Sequence, residues 1–273
     1  WHGKGKYTFA DGFGYEGDFV ENEWHGKGKY TSSVGDIYEG DWVEGRRHGK
    51  GKYTSSFGSV YEGDFLEDQQ HGKGKQTFAD GDIYEGDWVE GQQHGKGKYT
   101  FANGDIYEGD WVEGVGILGV LTRMSGHVYE GGLNKGFPYG KGRYTYPKGD
   151  VYEGDFENLH EPTRHILECI RDGDSYQAED WIEVKFNGQG TFNYANGDSY
   201  QGDFKHGKFT GNGRYTYKNG EMYEGCFVRG KMDGTFMCTY PTGQKYHVEF
   251  DMGKIISGPK TYLDPEGPWK DFR

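Results

Sequence analysis

Four groups of residues have types and spacings that could do chemistry. His160-Glu161-Pro162-Thr163-Arg164-His165 approaches the H-E-x-x-H pattern of a zinc site. It carries one residue too many, and proline stands where that pattern needs a continuous helix. Asp80-Gly81-Asp82 begins like a calcium loop, but Tyr84 and Glu85 occupy positions that need Asp or Asn and then Gly. It reads as a turn. The Gly-Lys-Gly-Lys runs lack the G-x-x-x-x-G-K-[ST] spacing of a phosphate loop, and no helix is expected after them. His2, His25, His48, His71 and His94 could form a metal or pH ladder, yet such regular placement reads as packing at chain links. No nucleophile, base and orienting group recur as a set. The sequence therefore predicts no enzyme, no cofactor and no metal.

Composition narrows the class. Hydrophobic residues make up only 33% of 273 residues, and the net charge is −13, a balance close to that of disordered chains. Disordered chains lack aromatics, however, and this one has 23 Tyr, 17 Phe and 7 Trp. The buried surface must be aromatic. With 44 acidic against 31 basic residues, an electrostatic grip on nucleic acid is disfavoured, and so is one on anionic lipid. Three cysteines, Cys169, Cys226 and Cys238, are too few and scattered for a disulfide framework. No run approaches the roughly 18–20 apolar residues of a membrane-spanning helix.

The elements that must position these residues come from an internal repeat. Tyr-Glu-Gly begins at Tyr15, Tyr38, Tyr61, Tyr84 and Tyr107, each 23 residues after the last. It returns at Tyr129, Tyr152 and Tyr223, with diverged copies at Tyr176, Tyr200 and Tyr246. His-Gly-Lys-Gly-Lys begins at each of the five histidines named above, with weaker versions at Tyr139, Asn187 and Thr210. One unit reads Lys-Gly-Lys-Tyr-Thr-Phe, then Ala-Asn-Gly-Asp, then Ile-Tyr-Glu-Gly-Asp-Trp-Val. The outer runs alternate aromatic with polar, the signature of half-buried strands. Asn103-Gly104, Asp80-Gly81 and Asp11-Gly12 mark the hairpin turn between them. Glu90 to Gly95 links one hairpin to the next. Alternation places Tyr84, Gly86 and Trp88 on one face and Glu85 and Asp87 on the other. Glycine between aromatics leaves room for rings to lie flat across the backbone. The predicted fold is all-β: an elongated, single-layer, twisted antiparallel sheet of tandem β-hairpins. About 22 strands at roughly 4.8 Å would extend on the order of 100 Å.

Tyr84-Glu85-Gly86-Asp87-Trp88 followed by His94-Gly95-Lys96-Gly97-Lys98-Tyr99 resembles the MORN (membrane occupation and recognition nexus) repeat, over nearly the whole chain. The resemblance implies an elongated sheet of hairpins that acts as a scaffold and protein-interaction module, often in cytoskeletal or ciliary assemblies. It also implies an intracellular place, cytoplasmic or cytoskeletal. Trp1-His2-Gly3 matches Trp24-His25-Gly26, so the chain begins inside a repeat. That start is compatible with an organelle reached after removal of a targeting peptide.

Three regions are expected: regular repeats over 1–114, diverged repeats over 115–256, and a capping tail over 257–273. The pattern breaks at 115–125 and 158–171. There, aliphatic Ile117, Leu118, Val120, Leu121, Ile166 and Leu167 are candidate partner contacts. The leading expectation is a non-enzymatic scaffold holding a helix or extended segment of a partner protein along an aromatic groove. Tyr38, Trp42, Tyr61, Tyr84, Trp88, Tyr107 and Trp111 are its candidate anchors. Edge strands could also support a homodimer. The alternative is a peripheral phospholipid-binding module. It needs a basic face, and the lysines of the Gly-Lys-Gly-Lys runs are countered by Asp and Glu on the adjoining strand.

Overall fold

A computed structural model describes residues 1–134, 136–157 and 185–258. Among the described residues the chain forms 22 strands and no helix. Two compact units are present, one over residues 1–124 and one containing residues 125–157 and 185–258. Within each, strands pair antiparallel with their chain neighbours, as expected of tandem hairpins, except that Lys231–Met232 and Gly234–Thr239 both pair with Met222–Val228. The aliphatic stretch at 115–125 belongs to the first unit. It supplies the strand Val115–Thr122, which pairs in register with Ile106–Val112. The break at 158–171 lies outside the described residues, as does the tail beyond Gly258.

In the first unit a seven-residue strand such as Ile83–Val89 alternates with a nine-residue strand such as Gln92–Thr100. The inequality comes from a bulge. Gly86 pairs with Gly97 but Asp87 pairs with His94, so Gly95 and Lys96 are extra on the long strand. The Asp87 carboxylate holds the bulge by accepting from the Lys96 amide at 2.9 Å.

Both connections are hairpin turns, and the tighter one is not where Asn-Gly marks it. At Phe101–Asp105 the Gly104 amide donates to the Phe101 carbonyl at 2.8 Å and Gly104 has φ +89°. That is a four-residue turn closed by a left-handed glycine, not a two-residue loop. The two-residue loop is the link Glu90-Gly91, with φ +50° and +80° and Val89 paired to Gln92. Two consecutive positive φ values make the mirror-image turn that suits strand twist.

Neighbouring hairpins are tied at both edges. At the links, the Gly91 amide donates to the Gln70 carbonyl one repeat earlier (2.9 Å), and Gly114 repeats this with Gln93 (2.9 Å). At the tips, buried Asp82 accepts from the Ala102 amide in the next hairpin (2.7 Å) and from the Tyr99 hydroxyl (2.6 Å). Asp36, Asp105 and Asp198 bind the next tip through Ser56, Met124 and Lys218 in the same way.

The core is one-sided. The Tyr84 ring crosses Gly86 and the facing Gly97, and its hydroxyl donates to the Asp87 carbonyl at 3.0 Å. A Cβ at Gly86 would stand 2.6 Å from that hydroxyl oxygen, which explains the invariant Tyr-x-Gly of the first unit. Tyr15, Tyr38, Tyr61 and Tyr84 each then meet two rings edge to face, one from their own strand and one from the next short strand. Tyr84 lies 5.2 Å from Trp88 and 5.0 Å from Trp111, and Tyr61 lies 5.2 Å from Trp88. Such pairs contribute about 0.5–1.5 kcal/mol each beyond the area they bury.

Several tyrosines are also covered by a side chain from the long strand. In the second unit this cover is apolar: Phe186 and Phe209 stack on Tyr152 and Tyr200 at 3.7 Å. In the first unit it is Trp24 on Tyr15 and Arg47 on Tyr38; Gln70 and Gln93 stand at the same register, and beside Tyr107 the place is held by Gly116. The Arg47 guanidinium lies 5.8 Å from the Tyr38 ring centre and 5.5 Å from that of Phe65, and pairs with Asp68.

Candidate functional site

The aromatic face is closed. Tyr38, Trp42, Tyr61, Tyr84, Trp88, Tyr107 and Trp111 are 0–5% exposed. These expected docking anchors pack on one another and present little surface to a partner. The indoles are also bonded internally: Trp88 Nε1 donates to the Gly74 carbonyl and Trp111 to that of Gly97, both at 3.2 Å. Burial raises the phenol pKa of Tyr38, Tyr61 and Tyr84 above the ordinary tyrosine range.

The open surface is on the other face of the first unit. A groove of about 1160 Å³ runs over four repeats, from Lys27 to Gly109. Its floor is the paired glycines, such as Gly86 and Gly97. Its walls are lysines and glutamates, such as Lys73, Lys96, Lys98 and Glu85. The floor is bare because positions 86 and 97 aim their Cβ direction at the rings behind, so only their backbone faces the groove.

Each lysine of the first set reaches the aspartate of the following short strand. Lys27–Asp41, Lys50–Asp64, Lys73–Asp87 and Lys96–Asp110 lie at 2.7, 2.6, 2.5 and 2.6 Å. The second set faces glutamates, with Lys98–Glu108 at 2.6 Å. The hydrogen bond from Lys73, aided by the Lys96 amide, holds the Asp87 carboxyl below the usual carboxylate range. The lysines are largely exposed, so each pair is worth only about 0–1 kcal/mol and its ammonium can be exchanged to an incoming carboxylate.

The aliphatic candidates fall at the end of this pattern. Leu118 pairs with Asp110 and Val120 with Glu108, where the preceding repeat pairs His94 with Asp87 and Lys98 with Glu85. Ile117 and Leu118 are exposed, Leu118 at 52%, and Val120 is half-buried. Leu121 is core, taking the place of Tyr99 opposite Tyr107. Ile166 and Leu167 lie outside the described residues, as does the His160–His165 run. Among the described residues no group of three or more His, Cys, Asp or Glu could hold a metal ion, and no helix is long and apolar enough to cross a membrane.

Sequence reasoning missed the tip aspartates, although Asp36, Asp82 and Asp105 follow the turn glycine at a fixed place. It also missed Phe57, 87% exposed at a tip. Several other tips place Asp or Asn there to accept a local amide, as Asp80 does from Asp82 at 3.0 Å, while Val34 holds the place one hairpin earlier. In this hairpin the Ser55 hydroxyl does so instead, accepting from the Phe57 amide at 3.1 Å.

The family profile of the MORN repeat matches nine segments: residues 1–13, 15–37, 38–60, 61–83, 84–106, 129–151, 181–199, 200–222 and 223–245. The chain belongs to the MORN repeat family, whose repeat is generally a non-catalytic module. No curated protein matches it. Among solved structures it is similar to the wild-type TCP10 domain of Danio rerio CPAP, at 11% identity and TM-score 0.34, covering 94% of this chain and 99% of that one. It is also similar to the SAS-4 (dCPAP) TCP domain of Drosophila melanogaster, solved with a proline-rich motif of Ana2 (dSTIL). That match has 13% identity and TM-score 0.26, covering 89% of this chain and 88% of that one. A streptogramin B lyase matches at 12% identity and TM-score 0.15, covering 96% and 84%. All three TM-scores are below 0.5.

Proposed function

We propose that the chain is a non-enzymatic scaffold that holds an extended or helical segment of a partner protein in the lysine and glutamate groove of its first unit. The observation that carries this is the groove itself: a continuous open channel over four repeats, floored by backbone and walled by exchangeable ion pairs. The aromatic train behind it acts as a stiff backing. Ile117 and Leu118 offer an apolar stop where the lysines end. Membership of the MORN repeat family supports a place within a larger assembly, cytoskeletal, ciliary or organellar.

Phospholipid binding is the weaker reading, because the groove lysines already have carboxylate partners in the array. Cross-linking mass spectrometry on the native protein tests the proposal. Cross-links from Lys50, Lys73 or Lys96 to one defined protein support it. Self-links alone, with phospholipid co-purifying, would overturn it in favour of the lipid reading.

A further inference from the structure

The first unit carries a second ordered surface, along the link edge, that the groove does not use. Val20, Val43, Leu66, Val89 and Val112 end the five short strands at the same position, and all are 38–43% exposed. The residue after each is an exposed glutamate: Glu21, Glu44, Glu67, Glu90 and Glu113. Glu67 pairs with Arg46 at 3.2 Å. The other four have no ion partner among the described residues, whereas most groove carboxylates have lysines. Five half-exposed aliphatic side chains thus run beside a rail of uncompensated negative charge.

The spacing of this row is fixed by backbone. Link amides at Gly45, Asp68, Gly91 and Gly114 donate to the carbonyls of Trp24, Arg47, Gln70 and Gln93, at 2.9–3.0 Å. The row is special to the first unit. In the second, the same two positions hold Lys205-His206, Val228-Arg229 and Asp251-Met252, with neither an aliphatic row nor an acidic one.

We infer that this edge docks a basic amphipathic helix of a partner protein, with an aliphatic residue at every seventh position and lysine or arginine beside it. Two strand spacings separate successive ridge residues, about 9.6 Å. Seven residues of helix rise about 10.5 Å, and the edge of a twisted sheet follows a path slightly longer than its axis. One helix face can therefore meet every repeat. A polyproline segment would match the pitch, but such segments are read by aromatic-lined grooves, and the ridge presents no aromatic side chain. Charge complementarity selects a basic partner over an acidic one, and an acidic edge repels an anionic membrane.

The test uses the full chain and a synthetic helical peptide of about 29 residues, long enough for five ridge contacts. Leucines at heptad spacing are flanked by lysines, and a twin peptide carries glutamates instead. By fluorescence anisotropy the basic peptide should bind in the micromolar range and the acidic twin about tenfold or more weaker. Glu44→Lys with Glu90→Lys should weaken the basic peptide about tenfold, and so should Val43→Ser with Val89→Ser. The circular dichroism spectrum should not change. Lys50→Ala, Lys73→Ala and Lys96→Ala together should leave this binding intact, which separates it from the groove. No binding at about 100 μM, or equal binding of the acidic twin, would overturn the inference. So would a reversible dimer of the free chain that the glutamate reversals dissociate, because the ridge would then belong to a second copy.

Discussion

The Tyr84 hydroxyl donates to the Asp87 carbonyl, 3.0 Å away, on a path that carries its ring over Gly86 and Gly97. The contact ties the two faces of the sheet together. Gly86 and Gly97 admit the ring on the side to which their Cβ would point, and their backbone forms the groove floor on the other. Gly97→Ala should therefore destabilise the first unit by about 1–3 kcal/mol, the range for overpacking a filled core. Hydrogen exchange should show the loss concentrated at strands 83–89 and 92–100, because repeat arrays couple only to their neighbours.

The groove pairs separate stability from recognition. Lys73→Ala removes an exposed partner and should change stability by less than about 0.5 kcal/mol. Asp87→Ala also removes the acceptor of the Lys96 amide in the bulge and should cost about 1–2 kcal/mol. Urea melts of the two variants check the difference.

The tip staple should be costlier still. Asp82→Ala leaves the Tyr99 hydroxyl and the Ala102 amide without their acceptor, and burial with this hydrogen bond raises the Tyr99 pKa. A loss of about 1–3 kcal/mol is expected, with Tyr99→Phe recovering part of it in the double variant. A double-mutant cycle measures the coupling.

Alkaline unfolding follows from the tyrosines. Burial, with the nearby Asp18 charge, moves Tyr15 from its ordinary 10.0 to about 12 in the folded chain. A raised folded value means that the stabilisation is fully present below pH 10 and is lost as the pH rises toward 12. Tyrosinate absorbance should rise together with loss of the sheet's circular dichroism signal. Ionisation well before unfolding would contradict the burial of the train.

Much of this fold was legible in residue order. Alternation in Ile83–Val89 assigned its faces, and the 23-residue return of Tyr-Glu-Gly set the hairpins. Two features were not legible. Glu90 adopts φ +50° only because strand twist on both sides demands a mirror-image turn, and glutamate gives no local signal of that. The burial of Trp88 was the second, because along its own strand it looks like a free anchor. Only the packing of the next repeat brings Tyr61 against it at 5.2 Å and closes the aromatic side. The tip aspartates were visible as a periodic residue type, but their bonds run between repeats.

The central claim is that partners engage the lysine face and not the rings. Its most direct test is native mass spectrometry of the protein isolated with its partners, comparing wild type with Lys50→Ala/Lys73→Ala/Lys96→Ala. The variant should lose the co-purifying protein while its thermal midpoint stays within a few degrees of wild type, since each pair contributes at most about 1 kcal/mol. Full retention of the partner by a folded variant would contradict the account.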